Sequence, residues 1–319
     1  MFDIVSGEEA VLGSIECLRL LYGSPDKYFN PNAFDEDWVK NEIRAGRRNV
    51  FTAIGADKEP AATLSVKKSS PFDDALEVGG LAVSKKYSKY GLGDIIHEHT
   101  LRQSEIAGCS CFYAYVVMHH TIAGKMCEKQ NFVPAGFLFG GYDASKNFAS
   151  FQKTSQKHSW AIYIKNVKNK NVSIYVPEYM GQFVKEVYDP LGVTYVANHQ
   201  SNPLKEQSIL THEQDNYHKT LYIYISVCGK DISQRIKELE QNYNDPLQTV
   251  SVFLNISESG GSGGIEALKK MGYKISGLKP LCAKNEFVIL NKTKDVFIQT
   301  SELKMTAKLN AVYEGLKLL

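Results

Sequence analysis

Val83-Ser84-Lys85-Lys86-Tyr87-Ser88-Lys89-Tyr90-Gly91-Leu92-Gly93 ends an apolar run, turns through a basic loop with two glycines, and opens the helical pattern Asp94-Ile95-Ile96-His97-Glu98. The stretch reads as a strand that feeds a helix N-terminus through a loop suited to an anion. Unpaired backbone N–H groups and the positive end of a helix dipole stabilise a phosphate there, by up to about 2 kcal/mol where the site is partly buried. Glycine lets the backbone approach the ligand closely. A dinucleotide-binding loop would show G-x-G-x-x-G directly after the strand and an acidic residue about 20 positions later. Neither stands here in that form.

Working outward, Leu76 to Val83 is the strand before the loop and Gly91 to Ala107 the helix after it. Upstream, Phe2 to Val5 predicts a strand, and Gly7 to Tyr22 an amphipathic helix with Ala10, Val11, Ile15, Leu18 and Leu21 on or near one face. A second helix is predicted over Asp35 to Arg44. Val50 to Ile54 and Ala61 to Val66 read as paired strands around a turn from Gly55 to Pro60. Downstream come a strand at Cys111 to Val117, a helix at Thr121 to Gln130, and strands at Phe137 to Gly140 and Trp160 to Ile164.

The segment Lys165-Asn166-Val167-Lys168-Asn169-Lys170-Asn171 is polar, basic and aperiodic, which predicts a boundary between domains 1–166 and 167–319. Beyond it the pattern starts again. Val172 to Val176 reads as a strand, Tyr179 to Tyr188 as a helix and Asn198 to Glu206 as a loop. A strand at Thr220 to Val227, a helix at Ile232 to Tyr243, a strand at Thr249 to Ile256 and a helix at Ile265 to Met271 follow. Glu128-Lys129-Gln130-Asn131-Phe132, followed by a strand at Gly136, is matched by Lys269-Lys270-Met271-Gly272-Tyr273, followed by a strand at Gly277. Duplication at this scale gives tandem domains rather than a solenoid. The second copy lacks the glycine loop, because Val227-Cys228-Gly229-Lys230-Asp231-Ile232 holds one glycine only. Ser257 to Gly264 reads as a flexible turn or an anion nest.

The pattern V-x-x-x-x-(R/Q)-x-x-G-x-G/A, carried by Val83, Ser88, Gly91 and Gly93, resembles the pyrophosphate signature of the GNAT superfamily of acyl-CoA-dependent N-acyltransferases, with Ser88 standing where Arg or Gln is usual. The order βααβββαβαββ is that family's order, and both Glu128 to Phe132 and Lys269 to Tyr273 resemble its E-K-x-G-F ending of the fourth helix. The segment from His120 to Lys125 and the run to Gly140 also resemble a GNAT subgroup with H-P-(Y/F)-S-Q-K. The fold class implied is α/β: two tandem GNAT-like domains, each a mixed, mostly antiparallel sheet flanked by helices. The resemblance implies that Ser88, Lys89, Tyr90, Gly91, Leu92, Gly93 and Asp94 hold the pyrophosphate of acetyl-CoA. It also implies that pantetheine pairs with the strand at Leu81, Ala82 and Val83.

Acylating an amine requires that the amine lose a proton, that the thioester oxyanion be stabilised and that a thiolate leave. An amine with a pKa near 10.4 is neutral about once in a few thousand molecules at pH 7, so a base is useful. Glu77 lies eleven residues before Ser88, the spacing at which histone-type members of the family carry their base glutamate. It reads either as that base or as a strand-edge carboxylate facing water. Cys127 occupies the position where many members carry the tyrosine that protonates the thiolate; it is a proton donor or a packing residue. His120, with His119, falls at the strand-to-helix turn where the family places its substrate, and is a catalytic candidate or a solvated turn histidine. His97 and His99 lie on opposite sides of a helix, which disfavours a shared metal.

The formal charge of +2 among interspersed acids and bases gives no footprint for nucleic acid. Six scattered cysteines without a CxxC predict buried thiols in a reducing, cytoplasmic compartment. No window approaches about 18 uninterrupted apolar residues, so no membrane span is expected. The expected activity is transfer of acetyl from acetyl-CoA to a small-molecule or peptide amine by direct attack, without a metal. The other reading is a non-catalytic acyl-CoA sensor or scaffold on the same fold. Acceptor, acyl length and oligomeric state stay open.

Overall fold

The structure, a computed structural model, describes all residues except 1, 70–71, 144–155, 169, 201–202, 244–245 and 283–284. The chain divides into two compact units, Met1–Tyr115 and Val116–Ala144 with Thr154–Leu319.

The first unit contains β1 (Asp3–Ser6), α1 (Val11–Tyr22), α2 (Glu36–Arg44), β2 (Arg48–Ile54), β3 (Pro60–Ser69), β4 (Phe72–Val83), α3 (Leu92–Ile106) and most of β5 (Cys111–Val117). Strands β1 to β4 form an antiparallel meander. β5 adds in parallel through Ala75–Cys111, Leu76–Phe112 and Glu77–Tyr113. Helix α1 buries Val11, Ile15 and Leu18 at helical spacing, and Asp35 caps α2 by accepting from the Trp38 N–H at 3.0 Å. The helix expected from Gly7 begins as a 3-10 turn and becomes α-helical only at Val11, because Gly7 sits at φ +73.

The second unit holds the end of β5, then α4 (Ile122–Lys129), β6 (Val133–Tyr142), β7 (His158–Asn166), β8 (Asn171–Tyr175), α5 (Gly181–Tyr188), β9 (Thr194–Asn198), β10 (Ile209–Asp215), β11 (Thr220–Val227), α6 (Ile232–Gln241), β12 (Thr249–Asn255), α7 (Gly261–Lys270), β13 (Lys274–Cys282), β14 (Asn285–Thr293) and α8 (Ala307–Leu316). Its strands run β7-β6-β13-β14-β12-β11-β10, with β8 and β9 as a separate parallel pair. The central strand β12 is buried along its whole length, as a strand covered on both faces must be. β10 lies at the edge and carries mostly polar, exposed side chains.

From β8 to β14 the chain order is βαβββαβαββ, that of the first half without its second helix, and α8 is added after it. The fold is therefore α/β, with a mixed and mostly antiparallel sheet in each half. Strands β9, β10 and β14 and helix α8 were not anticipated. The glycine-rich run is also not a flexible turn over its second half, where Gly261 to Gly264 form the first turn of α7. A Cβ on Gly261 would lie 2.7 Å from the Tyr175 carbonyl oxygen, and one on Gly264 2.8 Å from Cys228 Sγ. These glycines serve close packing of α7.

Strands β6 and β13, from the two halves of the sequence, are in register at one pair. Gly136 of β6 and Gly277 of β13, the two glycines that follow the repeated helix endings, are directly opposite each other across an antiparallel contact. A Cβ on either would fall 2.4 Å from the other's Cα.

Candidate active site

The loop after β4 forms a 3-10 segment from Lys85 to Tyr90, and Gly91 then turns the chain in the left-handed region at φ +67. That conformation favours glycine and brings α3 in with no side chain capping its first turn. Nothing lies within 4 Å of where a Gly91 Cβ would be, so the approach is open. Ser88 is exposed and donates to the Lys85 carbonyl at 2.9 Å. Lys85, Lys89 and Tyr90 are exposed, Leu92 is buried beneath the loop, and Gly93 and Asp94 are half-buried. Asp57, from the turn between β2 and β3, anchors the loop by accepting from Lys86 Nζ and from Tyr87 Oη at 2.6 Å. Those bonds, the Lys86 bond foremost, hold the Asp57 carboxyl well below its ordinary range.

β4 pairs with β5 only from Ala75 to Glu77, which leaves its edge from Val78 to Val83 without a strand partner on that side among the described residues. Leu81, Ala82 and Val83 lie on this stretch, with Ala82 packed inward against Cys17, Leu18 and Tyr28. Glu77 is half-buried, and its Oε1 lies 3.2 Å from Lys67 Nζ on β3. Tyr28, Arg48, Ser65, Lys67, Gly79 and Gly80 share a small cavity with it. Only Glu77 of this group was singled out from the sequence. The signal for the others was the tight β2–β3 hairpin, whose register sets Arg48 opposite Lys67.

Cys127 and His120 belong to the second unit. Cys127 on α4 is buried, and burial pushes its thiol up to about 12. Beside it on α4, Glu128 accepts from Thr306 Oγ1 and from Tyr163 Oη at 3.2 Å. Thr306 also caps α8, accepting from the Leu309 N–H at 3.1 Å. Glu128 of the repeated helix ending thus fastens the C-terminal helix. His119 and His120 lie edge to face at 4.9 Å, and His158 is 5.6 Å from His119. Burial lowers both His119, to about 3, and His120. They are neutral at pH 7, not the solvated histidines that the turn position also allowed.

This has a consequence for stability. An unfolded histidine titrates near 6.5, so between about 3 and 6.5 the unfolded chain binds more protons than the folded one, and stability falls as pH falls through that window. The urea midpoint should drop between pH 7 and pH 5, and less steeply in a His119→Gln variant; parallel slopes would show that other groups control the acid limb.

The corresponding loop of the second half, between β11 and α6, is closed. β11 and β12 stay paired through six positions, from Thr220–Thr249 to Ile225–Leu254. Residues 205–208 lie over the start of α6, with Gly229 donating to Ser208 Oγ at 2.9 Å and Asp231 accepting from the Ser208 N–H at 2.8 Å. A Cβ on Gly229 would stand 2.3 Å from the Gln207 carbonyl carbon. The chain's own backbone and a carboxylate thus occupy the start of α6.

No family model and no curated protein sequence matches the chain. Among solved structures it is similar to an N-acetyltransferase from Staphylococcus aureus Mu50, at 15% identity over 53% of this chain and 99% of that one, with a TM-score of 0.42. It is similar too to the ribosomal-protein-S18-alanine N-acetyltransferase from Escherichia coli, at 17% identity over 53% and 95%, with a TM-score of 0.40. A third is the spermidine/spermine N-acetyltransferase SpeG from Vibrio cholerae, at 14% identity over 52% and 95%, with a TM-score of 0.39. The element order gives this chain an α/β fold whose second half repeats the order of the first without its second helix.

Proposed function

We propose that the domain 1–166 transfers acetyl from acetyl-CoA to a primary amine, and that the domain 167–319 is a degenerate copy without its own CoA site. The observation that carries this reading is the open, uncapped N-terminus of α3 directly after a β4 edge left without a partner strand. The first offers backbone N–H groups between Ser88 and Gly93 to a pyrophosphate, the Asp94 N–H being taken up by the Gly91 carbonyl at 3.1 Å, and Lys85 and Lys89 add positive charge. The second offers Leu81 to Val83 to the amides of a pantetheine arm in the manner of an added strand. Space above Gly91 is clear for the diphosphate.

In this reading Glu77 takes the proton of the acceptor ammonium. The amine nitrogen then bonds to the thioester carbonyl carbon, the C–S bond breaks as the oxyanion collapses, and the proton released from that nitrogen passes to the departing thiolate, giving an amide and a free thiol. Cys127 is assigned packing rather than acid duty. With its thiol near 12 it is a weaker acid than an ordinary thiol near 8.5, so the departing thiolate would not take its proton.

Gly91→Leu is the direct test. The substitution puts a side chain in the phosphate path and strains a left-handed position by about 1–2 kcal/mol. Calorimetry with acetyl-CoA should show one site per chain in the wild type, and at least a tenfold weaker affinity in the variant. Unchanged affinity would remove the loop assignment, and two sites per chain would remove the closed second copy. Binding without thiol release against any amine would favour the sensor reading.

A further inference from the structure

The turn between β2 and β3 grips the loop after β4. Lys58 stands in the left-handed region at φ +67, its N–H donates to the Gly55 carbonyl at 2.9 Å, and the Gly55 N–H donates to the Glu59 carbonyl at 2.9 Å. This tight turn carries Asp57 to the 3-10 segment, where its carboxylate accepts from Tyr87 Oη at 2.6 Å and from Lys86 Nζ. Gly55 makes the approach possible. A Cβ on it would stand 2.6 Å from Asp57 Oδ1 and 2.8 Å from Tyr87 Oη. The nearest atoms all belong to those two side chains, so an added methyl group would displace the contact itself.

The two bonds differ in weight. Lys86 is exposed, and a surface ion pair holds little. Tyr87 is 8% exposed, its ring lies edge-on to Phe2 at 5.7 Å, and its hydroxyl donates to a charged acceptor, a bond about twice as strong as a neutral one. Lys85, Lys86, Ser88, Lys89 and Tyr90 all face solvent, so Tyr87 is the root of the segment. The Tyr87–Asp57 contact thus fixes where the segment, and Gly91 after it, stand on the sheet.

We propose that Asp57 is a positioning residue for the acyl donor: through Tyr87 it holds the segment from Lys85 to Tyr90 so that the backbone N–H groups leading into α3 face the diphosphate before it arrives. This rests on the acyl-transfer reading above and adds to it a residue outside the loop that sets donor affinity. Charge alone predicts the opposite sign. Removing the carboxylate leaves the loop more positive, which favours an anion. A loop that holds its competent arrangement for only part of the time instead loses affinity in proportion.

Calorimetry with acetyl-CoA on the wild type, Gly55→Ala, Asp57→Ala and Asp57→Asn separates the two. Both alanine variants should bind about fivefold more weakly or worse. Asp57→Asn keeps an oxygen for Tyr87 Oη and should stay within about twofold of the wild type. In thiol release the loss should fall on KM for acetyl-CoA rather than on kcat. Amide exchange over residues 84–92 of the free protein should quicken in both alanine variants while the urea midpoint stays level. Unchanged or tighter binding in Asp57→Ala, or an equal loss in Asp57→Asn, would overturn the proposal with acyl-CoA binding intact; so would a urea midpoint that falls in step with affinity, which would mark Asp57 as structural. If the wild type does not bind acetyl-CoA, the acyl-transfer reading falls and inorganic pyrophosphate decides. Pyrophosphate binding weakened in both alanine variants keeps the positioning role, and equal binding or none removes it.

Discussion

Replacing Glu77 with glutamine should lower kcat/KM by about 10²–10⁴-fold, the usual contribution of a general base. Glutamine keeps the volume and removes the basicity. The residual rate should then rise with pH toward the pKa of the free amine, because only the fraction already deprotonated in water can react. Loss of the Lys67 contact adds little to the reading, since a partly exposed ion pair contributes about 0–1 kcal/mol to stability. A stopped assay of thiol release across pH 6–10, beside a urea titration of both proteins, separates the two effects. A variant with the wild-type kcat/KM and pH profile would show that the amine is deprotonated elsewhere. Glu77 would then be an ordinary half-buried strand carboxylate.

Gly136→Ala and Gly277→Ala should each destabilise the protein by about 3 kcal/mol, at the upper end for an added methyl group in a packed interior. The new Cβ would meet backbone, not a side chain that can swing away. At Gly136 the nearest atoms are Gly277 Cα at 2.4 Å and the Ser276 carbonyl oxygen at 2.7 Å; at Gly277 they are Gly136 Cα at 2.4 Å and the Ala135 carbonyl oxygen at 2.8 Å. Relief requires β6 and β13 to part. Gly181→Ala is the control: it opens α5 at φ −55, the nearest atom to its Cβ is 3.8 Å away, and alanine favours a helix by up to about 1 kcal/mol. Denaturant midpoints that fall equally in all three variants would show that the glycine pair has no special role.

Much of the fold was legible because its signals are local. The repeat of the helix ending at Glu128 and Lys269, the following glycines and the alternation of strand and helix need no long-range information. Strand β10 was missed because its exposed, polar residues carry little of the alternation that marks a half-buried strand, and β9 because it is five residues long and exposes its central Val196. The turn at Ser257 to Gly264 was read as flexible because glycine disfavours a helix, whereas here α7 packs so closely on Tyr175 and Cys228 that only glycine fits. Tertiary packing overrode propensity at that point.

The candidate site divides in the same way. By itself the chain determined the backbone of the loop after β4, since Gly91 after an apolar strand specifies a left-handed turn into a helix start without a side-chain cap from neighbouring residues alone. It also determined that the second copy differs there, through the lone Gly229. What only the tertiary structure decided is the electrostatic company each residue keeps. Burial makes Cys127 a weak acid and His119 and His120 neutral, while strand register gives Glu77 to Lys67 and leaves Arg48 without a carboxylate. Residues 205–208 fold back to close the α6 N-terminus from 21 positions upstream of the Gly229 N–H that Ser208 satisfies. Such outcomes depend on which distant segment displaces water from a given group, and desolvation is a property of the packed molecule that no local spacing encodes.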